Sequence, residues 1–175
     1  MKKEYINLLK TTIWLTGLPC SGKTTIAKSL KEELTNGGYN TVHLDGDDVR
    51  EKLNEDLGFS EKDRYENLRR VAHIAKLFNE NGSLIIASFV SPTNKMRDMI
   101  KKIIGNMKLV YVKCSLETCE KRDTKNMYKK ARLGEIKNFT GISAPFEEPR
   151  ADIIVDSEND DIKKCVGKIL EELKL

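Results

Sequence analysis

A chain of 175 residues is the length of one domain, and it is large enough to bury a core without staples. Charged residues make up 33% and the hydrophobic set 39%, the profile of a soluble globular protein. The longest apolar stretch, Leu84 to Val90, is too short to span a bilayer. A net charge of +4 and a pI near 8.8 are too mild to point to a nucleic-acid polymer or a membrane surface, but they suit an enzyme whose ligands are polyanionic nucleotides.

Met1 to Lys10 lacks the continuous apolar core of a signal peptide, so the expected location is cytoplasmic, and this stretch reads as a short surface lead-in. Ile13–Thr16 reads as the first strand. Directly after it comes Gly17-Leu18-Pro19-Cys20-Ser21-Gly22-Lys23-Thr24, which fits G-x-x-x-x-G-K-[ST]. Ile26, Ala27, Leu30 and Leu34 then share one helical face up to about Thr35, with Asn36-Gly37-Gly38 as the stop. Strand, loop and helix in this order are the context the motif requires. Backbone N–H groups of such a loop turn inward around phosphate oxygens, with the helix N-terminus adding partial positive charge. Lys23 reaches the β- and γ-phosphates, and the Thr24 hydroxyl is a candidate Mg²⁺ ligand. Thr25 opens the helix beside it. A nucleoside triphosphate is the expected ligand.

Thr41–Leu44 is the second strand and runs into Asp45-Gly46-Asp47-Asp48, with Arg50 following. His43, between Val42 and Leu44, reads as an ordinary strand residue. Ser60, with Asp63 three residues on, is a helix N-cap. Leu68, Val71, Ala72, Ala75 and Phe78 mark the apolar face of the helix that follows, which ends at Asn81-Gly82. His73 falls on its polar side. Leu84–Ala87 has the continuous apolar character of a central parallel strand and empties into Ser88-Phe89-Val90-Ser91-Pro92. A helix to about Ile104, a strand over Lys108–Lys113 and a short helix over Leu116–Arg122 come next. The last elements are a strand over Ile153–Val155 and an amphipathic helix bearing Ile162, Cys165, Val166, Ile169, Leu170 and Leu173.

Thr124 to Pro149 stands apart, with little apolar periodicity. From Thr124 to Thr140 it holds five Lys or Arg against one Glu, so it is either disordered or a functional lid. The four cysteines form no C-x-x-C pair and match no zinc spacing. Cys114 and Cys165 read as core residues; Cys20, in the phosphate loop, is either a redox-sensitive thiol or, as the simpler reading, a tolerated side chain. Strands alternating with helices give an α/β fold, a single P-loop kinase-type domain over residues 1–175. Its doubly wound five-stranded parallel sheet has flanking helices and a mobile basic lid over about 124–149.

Phosphate-loop proteins divide into those that use hydrolysis to drive motion and those that pass the phosphoryl group to a substrate. The first group usually carries an Asp at the end of the strand next to the first one, where this chain has Ser and Pro. Here the carboxylates are Asp45, Asp47 and Asp48, placed to orient an acceptor hydroxyl, accept its proton and help hold Mg²⁺. A basic lid excludes water as a competing acceptor. A small-molecule kinase is the class these features support.

At this point the motifs resemble a family, the adenylylsulfate kinases, over nearly the whole chain. The matching blocks are Thr16-Gly17-Leu18 with the phosphate loop, Leu44-Asp45-Gly46-Asp47, and Asp56-Leu57-Gly58-Phe59-Ser60 with Arg64, Glu66, Asn67, Arg69 and Arg70. Phe89, Ser91-Pro92 and Arg97 match as well, as do Tyr128–Arg132 and Gly134–Ile142. The resemblance implies ATP and Mg²⁺ as cofactors, small-molecule nucleotide substrates and a homodimer, with phosphorylation of the ribose 3′-hydroxyl of adenylyl sulfate. It makes Lys23, Asp45 and Asp47 catalytic, Asp45 being the base-like carboxylate, and Thr24 and Asp47 the metal ligands. It puts ATP on residues Gly17 to Thr25 with Arg122 and Arg132. It assigns the acceptor to Asp45, Asp47, Arg50, Phe59, Arg64, Asn67, Val90, Ser91, Lys129, Lys137, Phe139 and Thr140, with Phe59 and Phe139 sandwiching its base. Asp48, Glu51-Lys52-Leu53, Thr93-Asn94 and Ser143 depart from the family pattern on the acceptor side. An acceptor such as cytidine diphosphoramidate, used in capsule biosynthesis, is therefore the alternative substrate, and a non-catalytic nucleotide-binding regulator the alternative class.

Overall fold

The apolar runs pair edge to edge. In the computed structural model, which describes residues 10–175, the strands are β1 (Thr12–Thr16), β2 (Thr41–Asp45), β3 (Leu84–Ser88), β4 (Met107–Lys113) and β5 (Ile153–Asp156). They form one parallel sheet in the order β2-β3-β1-β4-β5. The expected surface lead-in, apart from Lys10, lies outside the described residues.

The two central strands explain the runs with no polar alternation: β1 and β3 are buried along their whole length, because helices cover both faces. On one face, Ile13, Leu15, Leu84 and Ile86 pack with Ile26, Ala27 and Leu30 of α1 (Lys23–Asn36). Cys165, Val166 and Ile169 of the last helix, α7 (Ile162–Glu172), complete that core. On the other, Trp14, Ile85, Ala87 and Phe89 pack with Leu68, Val71, Ala72 and Ala75 of α3 (Glu61–Glu80). Met96 and Ile100 of α4 (Asn94–Ile104) join them. Ser60 caps α3 by accepting from the Asp63 N–H, as expected. Phe78 is corrected: it is 39% exposed, and Asn79 takes the inward position. Asn79 is buried because it holds strand ends together, accepting from Thr12 Oγ1 at 2.6 Å and donating to the Thr11 and Ser83 carbonyls.

Two segments differ from expectation. The acidic cluster after β2 is helical, α2 (Gly46–Lys52), with Asp45 as its N-cap. The basic segment, read as having little apolar periodicity, holds three buried anchors: Tyr128 and Ala131 of α6 (Met127–Arg132), and Phe139. These pack with Cys114 and with Cys119 of α5 (Leu116–Lys121) as a third, small core beside the phosphate loop. Periodicity missed it because the anchors fall partly on a six-residue helix and partly on a turn. No helix among the described residues is long and apolar enough to cross a membrane.

The chain leaves β1 toward β2 on one side of the sheet and later reaches β4 on the other. The carboxyl end of β1 is therefore the switch point where such sheets bind ligands, and the G-x-x-x-x-G-K-T loop follows it.

Candidate active site

The loop is built for close approach. A Cβ on Gly17 would sit 2.6 Å from the Val112 carbonyl oxygen, and Gly22, at φ 86°, adopts the left-handed backbone that turns the loop into α1. Lys23 is 9% exposed, and its Nζ donates to the Gly17 and Leu18 carbonyls at 3.0 and 2.6 Å. Burial pulls this amine down to about 8, against smaller upward pulls that include Asp45 and Asp47. Ser21 is buried, while Thr24 and Thr25 are exposed at the helix start. Pro19 offers its carbonyl to the Tyr128 hydroxyl at 2.9 Å, which ties α6 to the loop. Cys20 sits at φ 61° and is partly buried; burial and then Asp123 push its thiol up.

Asp45 joins the loop to the acceptor side. Its Oδ2 accepts from Thr24 Oγ1 at 2.8 Å and from Ser88 Oγ at 2.7 Å, and its Oδ1 accepts the Asp47 N–H at 3.0 Å. Burial raises the carboxyl, but these bonds outweigh it and hold the group below its ordinary range. Register explains the Ser88 contact, since Asp45 and Ser88 are paired residues of β2 and β3. Asp47 is exposed and ion-paired to Lys125 at 2.7 Å. Thr24, Asp45 and Asp47 supply the hard oxygen donors that suit Mg²⁺. Among the described residues no group of three or more His, Cys, Asp or Glu could hold a metal alone. The donor set thus fits an ion held in part by phosphate oxygens.

Phe59 is 56% exposed with the Arg50 guanidinium 4.4 Å from its ring centre and Arg64 at 5.6 Å. Arg64 donates to the Phe59 carbonyl at 3.0 Å and to the Asn138 carbonyl at 2.6 Å, so it ties the segment before α3 to the turn that carries Phe139. Asn67 is buried and accepts from Asn54 Nδ2 at 2.9 Å. Phe139 is 7% exposed, with its ring centre 4.9 Å from that of Tyr128 and nearly perpendicular to it, so in this structure it anchors the basic segment rather than offering an open stacking face. Thr140 is buried, and its hydroxyl has no partner among the described residues.

Ser91 is turned differently from expectation. It is 1% exposed, and its Oγ accepts the Trp14 indole N–H at 2.9 Å inside the core. The carbonyls of Val90 and Ser91 instead bond Thr16, and the Ser91 carbonyl takes Arg97 at 2.7 Å. Lys129 and Lys137 are exposed on the lid. Arg132 is held by Glu120, and Arg122 by the Ser157 carbonyl at 2.8 Å.

The sequence matches the Adenylylsulphate kinase family over residues 9–156. The chain belongs to the adenylylsulphate kinase family. An adenylyl-sulfate kinase of Bacillus velezensis is 46% identical, covering 99% of this chain and 91% of that one. One from Clostridium acetobutylicum is 49% identical, covering 93% and 82%. The solved structure of the Mycobacterium tuberculosis APS kinase in complex with AMPPNP and APS superposes with a TM-score of 0.91. It is 37% identical, with 94% of this chain and 98% of that chain covered.

Seen within the adenylylsulphate kinase family, the departures have local explanations. Asp48 is exposed and pairs with Lys52 at 3.3 Å, one turn on. Ser143 accepts the Phe139 N–H at 2.9 Å and closes the turn that carries Phe139 and Thr140. Thr93 caps α4, while Asn94 accepts from Arg97 and binds Glu147 and the Glu148 carbonyl, clamping the end of the lid to α4. The contacts of Lys125 with Asp47, of Arg97 with the Ser91 carbonyl, and of Ser88 and His43 with each other were not read from the sequence. For His43 a signal was present: strand alternation puts residues 43 and 45 on one face.

Proposed function

We propose that this chain transfers the γ-phosphoryl group of ATP to the ribose 3′-hydroxyl of adenylyl sulfate. The observation that carries this reading is the 2.8 Å bond between Thr24 and Asp45. It sets the carboxylate of the acceptor side against the phosphate loop, so a hydroxyl at Asp45 would meet a phosphoryl group at Lys23. Asp45 accepts three hydrogen bonds of about four that a carboxylate can take, which leaves one position for the acceptor. Held ionised below its ordinary range, it acts chiefly by orienting that hydroxyl and receives the proton as the bond forms. Lys23 would turn from the loop carbonyls to the β- and γ-phosphates. Thr24 and Asp47 would hold Mg²⁺, Lys125 giving up Asp47 to it; the bound ion neutralises charge on the transferring group. Arg50 and Phe59 would receive the acceptor base, and the Thr140 hydroxyl, buried with no partner among the described residues, would bond the acceptor.

Transfer is direct in this reading, because the Ser91 hydroxyl is committed to Trp14 within the core and is not placed to carry the phosphoryl group. An ADP-release assay with Mg·ATP and a panel of acceptors tests it. Adenylyl sulfate is expected to turn over at low micromolar concentration and to outrun cytidine diphosphoramidate and plain nucleoside monophosphates. Preference for the cytidine compound would make Asn94 and its neighbours marks of a different acceptor. Absence of turnover with every acceptor would favour a regulator.

A further inference from the structure

Ser88 has one proton, and it is given to Asp45 Oδ2, an ionised oxygen that can only accept. The His43 Nε2, 2.9 Å from the same Ser88 oxygen and 3.8 Å from Asp45 Oδ2, must therefore carry its own proton and donate it. The result is a one-way chain of donors, from His43 Nε2 through Ser88 Oγ to Asp45 Oδ2. It enters the carboxylate beside the Thr24 bond. Three features show that the chain is held in place rather than passing contact. His43 and Asp45 lie on one face of β2, Ser88 is the paired neighbour of Asp45 on β3, and the His43 side chain is only 9% exposed. Other charges felt by the ring are Lys28 and Lys31 of α1 and Asp48 of α2. Burial favours the neutral ring, which keeps the chain polarised toward Asp45 without a second full charge beside it.

From this geometry we infer that His43 is a positioning residue for the phosphoryl transfer, acting through Ser88 to fix the rotation of the Asp45 carboxylate. The inference rests on the function proposed above. Of the two carboxylate oxygens, Oδ2 is locked by Thr24 and Ser88, and Oδ1 is left with the Asp47 N–H and one open position. Without His43, nothing among the described residues donates to Ser88 Oγ, and the hydroxyl loses the contact that fixes its rotamer and polarises its bond to Asp45. Asp45 then loses one of the two bonds that fix Oδ2, at the step where a small misplacement costs most.

Steady-state kinetics with Mg·ATP and adenylyl sulfate test this in the full-length protein. The wild-type rate tests the function itself; if another acceptor proves to be the substrate, the same comparison is made with that one. His43→Leu and Ser88→Ala are each expected to lower kcat by about tenfold or more, with both KM values within about twofold. The double variant should be no slower than Ser88→Ala alone, since the two residues act in series. His43→Gln, whose amide can still donate to Ser88, should recover most of kcat. His43→Ala makes the same comparison should leucine prevent folding, as judged by thermal melting. Unchanged kcat in His43→Leu, losses that multiply in the double variant, or a fall only in melting temperature or affinity would each overturn the role.

Discussion

Ser91 adopts φ 44°, a left-handed backbone that side-chain-bearing residues avoid, and it is held there from three directions. Trp14 donates to its hydroxyl, while Arg97 and Thr16 take its carbonyl. The residue thus aims the turn after β3 without presenting its hydroxyl to a ligand. Ser91→Ala leaves the buried indole N–H without an acceptor and should cost about 1–3 kcal/mol in stability, read by denaturant unfolding. Turnover at a temperature where the variant stays folded should remain within a few-fold of wild type; a loss of several hundredfold would mean the hydroxyl takes part in transfer. Lys23 gives a prediction in pH. Burial lowers its amine to about 8 in the free protein, and polyphosphate beside it would raise it again. A group whose pKa rises on binding contributes affinity that is complete below the free value and is lost as pH climbs through it. Nucleotide affinity should therefore hold steady up to about pH 8 and then weaken by up to about tenfold per unit until the pKa of the complex is reached. Calorimetric titration of ADP at pH 7 and 9.5 reads this directly. A flat profile would show that Lys23 gains no proton on binding, and Lys23→Arg, charged throughout, should be flat.

At the scale of elements, the long features and the short helix α5 were legible in the chain, while α2 and α6 were not. All five strands, α1, α3, α4 and α7 could be placed from apolar periodicity and stop signals, because each buries a continuous face against the sheet. α2 was hidden because its start, Asp45, serves at once as strand end, N-cap and candidate catalytic carboxylate. The phosphate loop and Asp45 were readable because their chemistry follows from residue type and spacing. The inward turn of Ser91 and the His43–Ser88 chain were not, since they depend on which side chain β3 sets beside β1 and β2. The lid is the clearest case. Its basic side chains set it apart in the sequence, but its fixing points, Tyr128, Ala131 and Phe139, follow no period. Tyr128 is 1% exposed and reaches the Pro19 carbonyl, so α6 and the phosphate loop should open together. Tyr128→Phe removes that tie while keeping the ring. At about 1 kcal/mol it should speed amide exchange in residues 17–22 and 127–132 by roughly fivefold, with the strands unchanged. Faster exchange in α6 alone would show that the two segments open separately.

Across the whole molecule, stability is divided unequally. Two large cores sandwich the sheet, whereas the third consists of five buried residues packed with the edge of the phosphate loop. A cluster this small should open at a fraction of the free energy that unfolds the sheet, and the chain it releases carries Lys125, Lys129, Lys130, Arg132 and Lys137. Trypsin should therefore nick the folded protein first within residues 124–140, at a rate set by the population of the open form. Because the same opening frees Pro19 in the phosphate loop, it should be incompatible with a bound nucleotide. Nucleotide at a hundred times its dissociation constant adds about 2.7 kcal/mol to the closed form, which should slow that first cleavage about a hundredfold. Cleavage that stays fast at saturation would mean that the lid opens with nucleotide in place, and that the loop and the third core are energetically separate. Slowing by the full factor would make the lid, its aromatic anchors and the phosphate loop one cooperative unit set on a sheet that does not move.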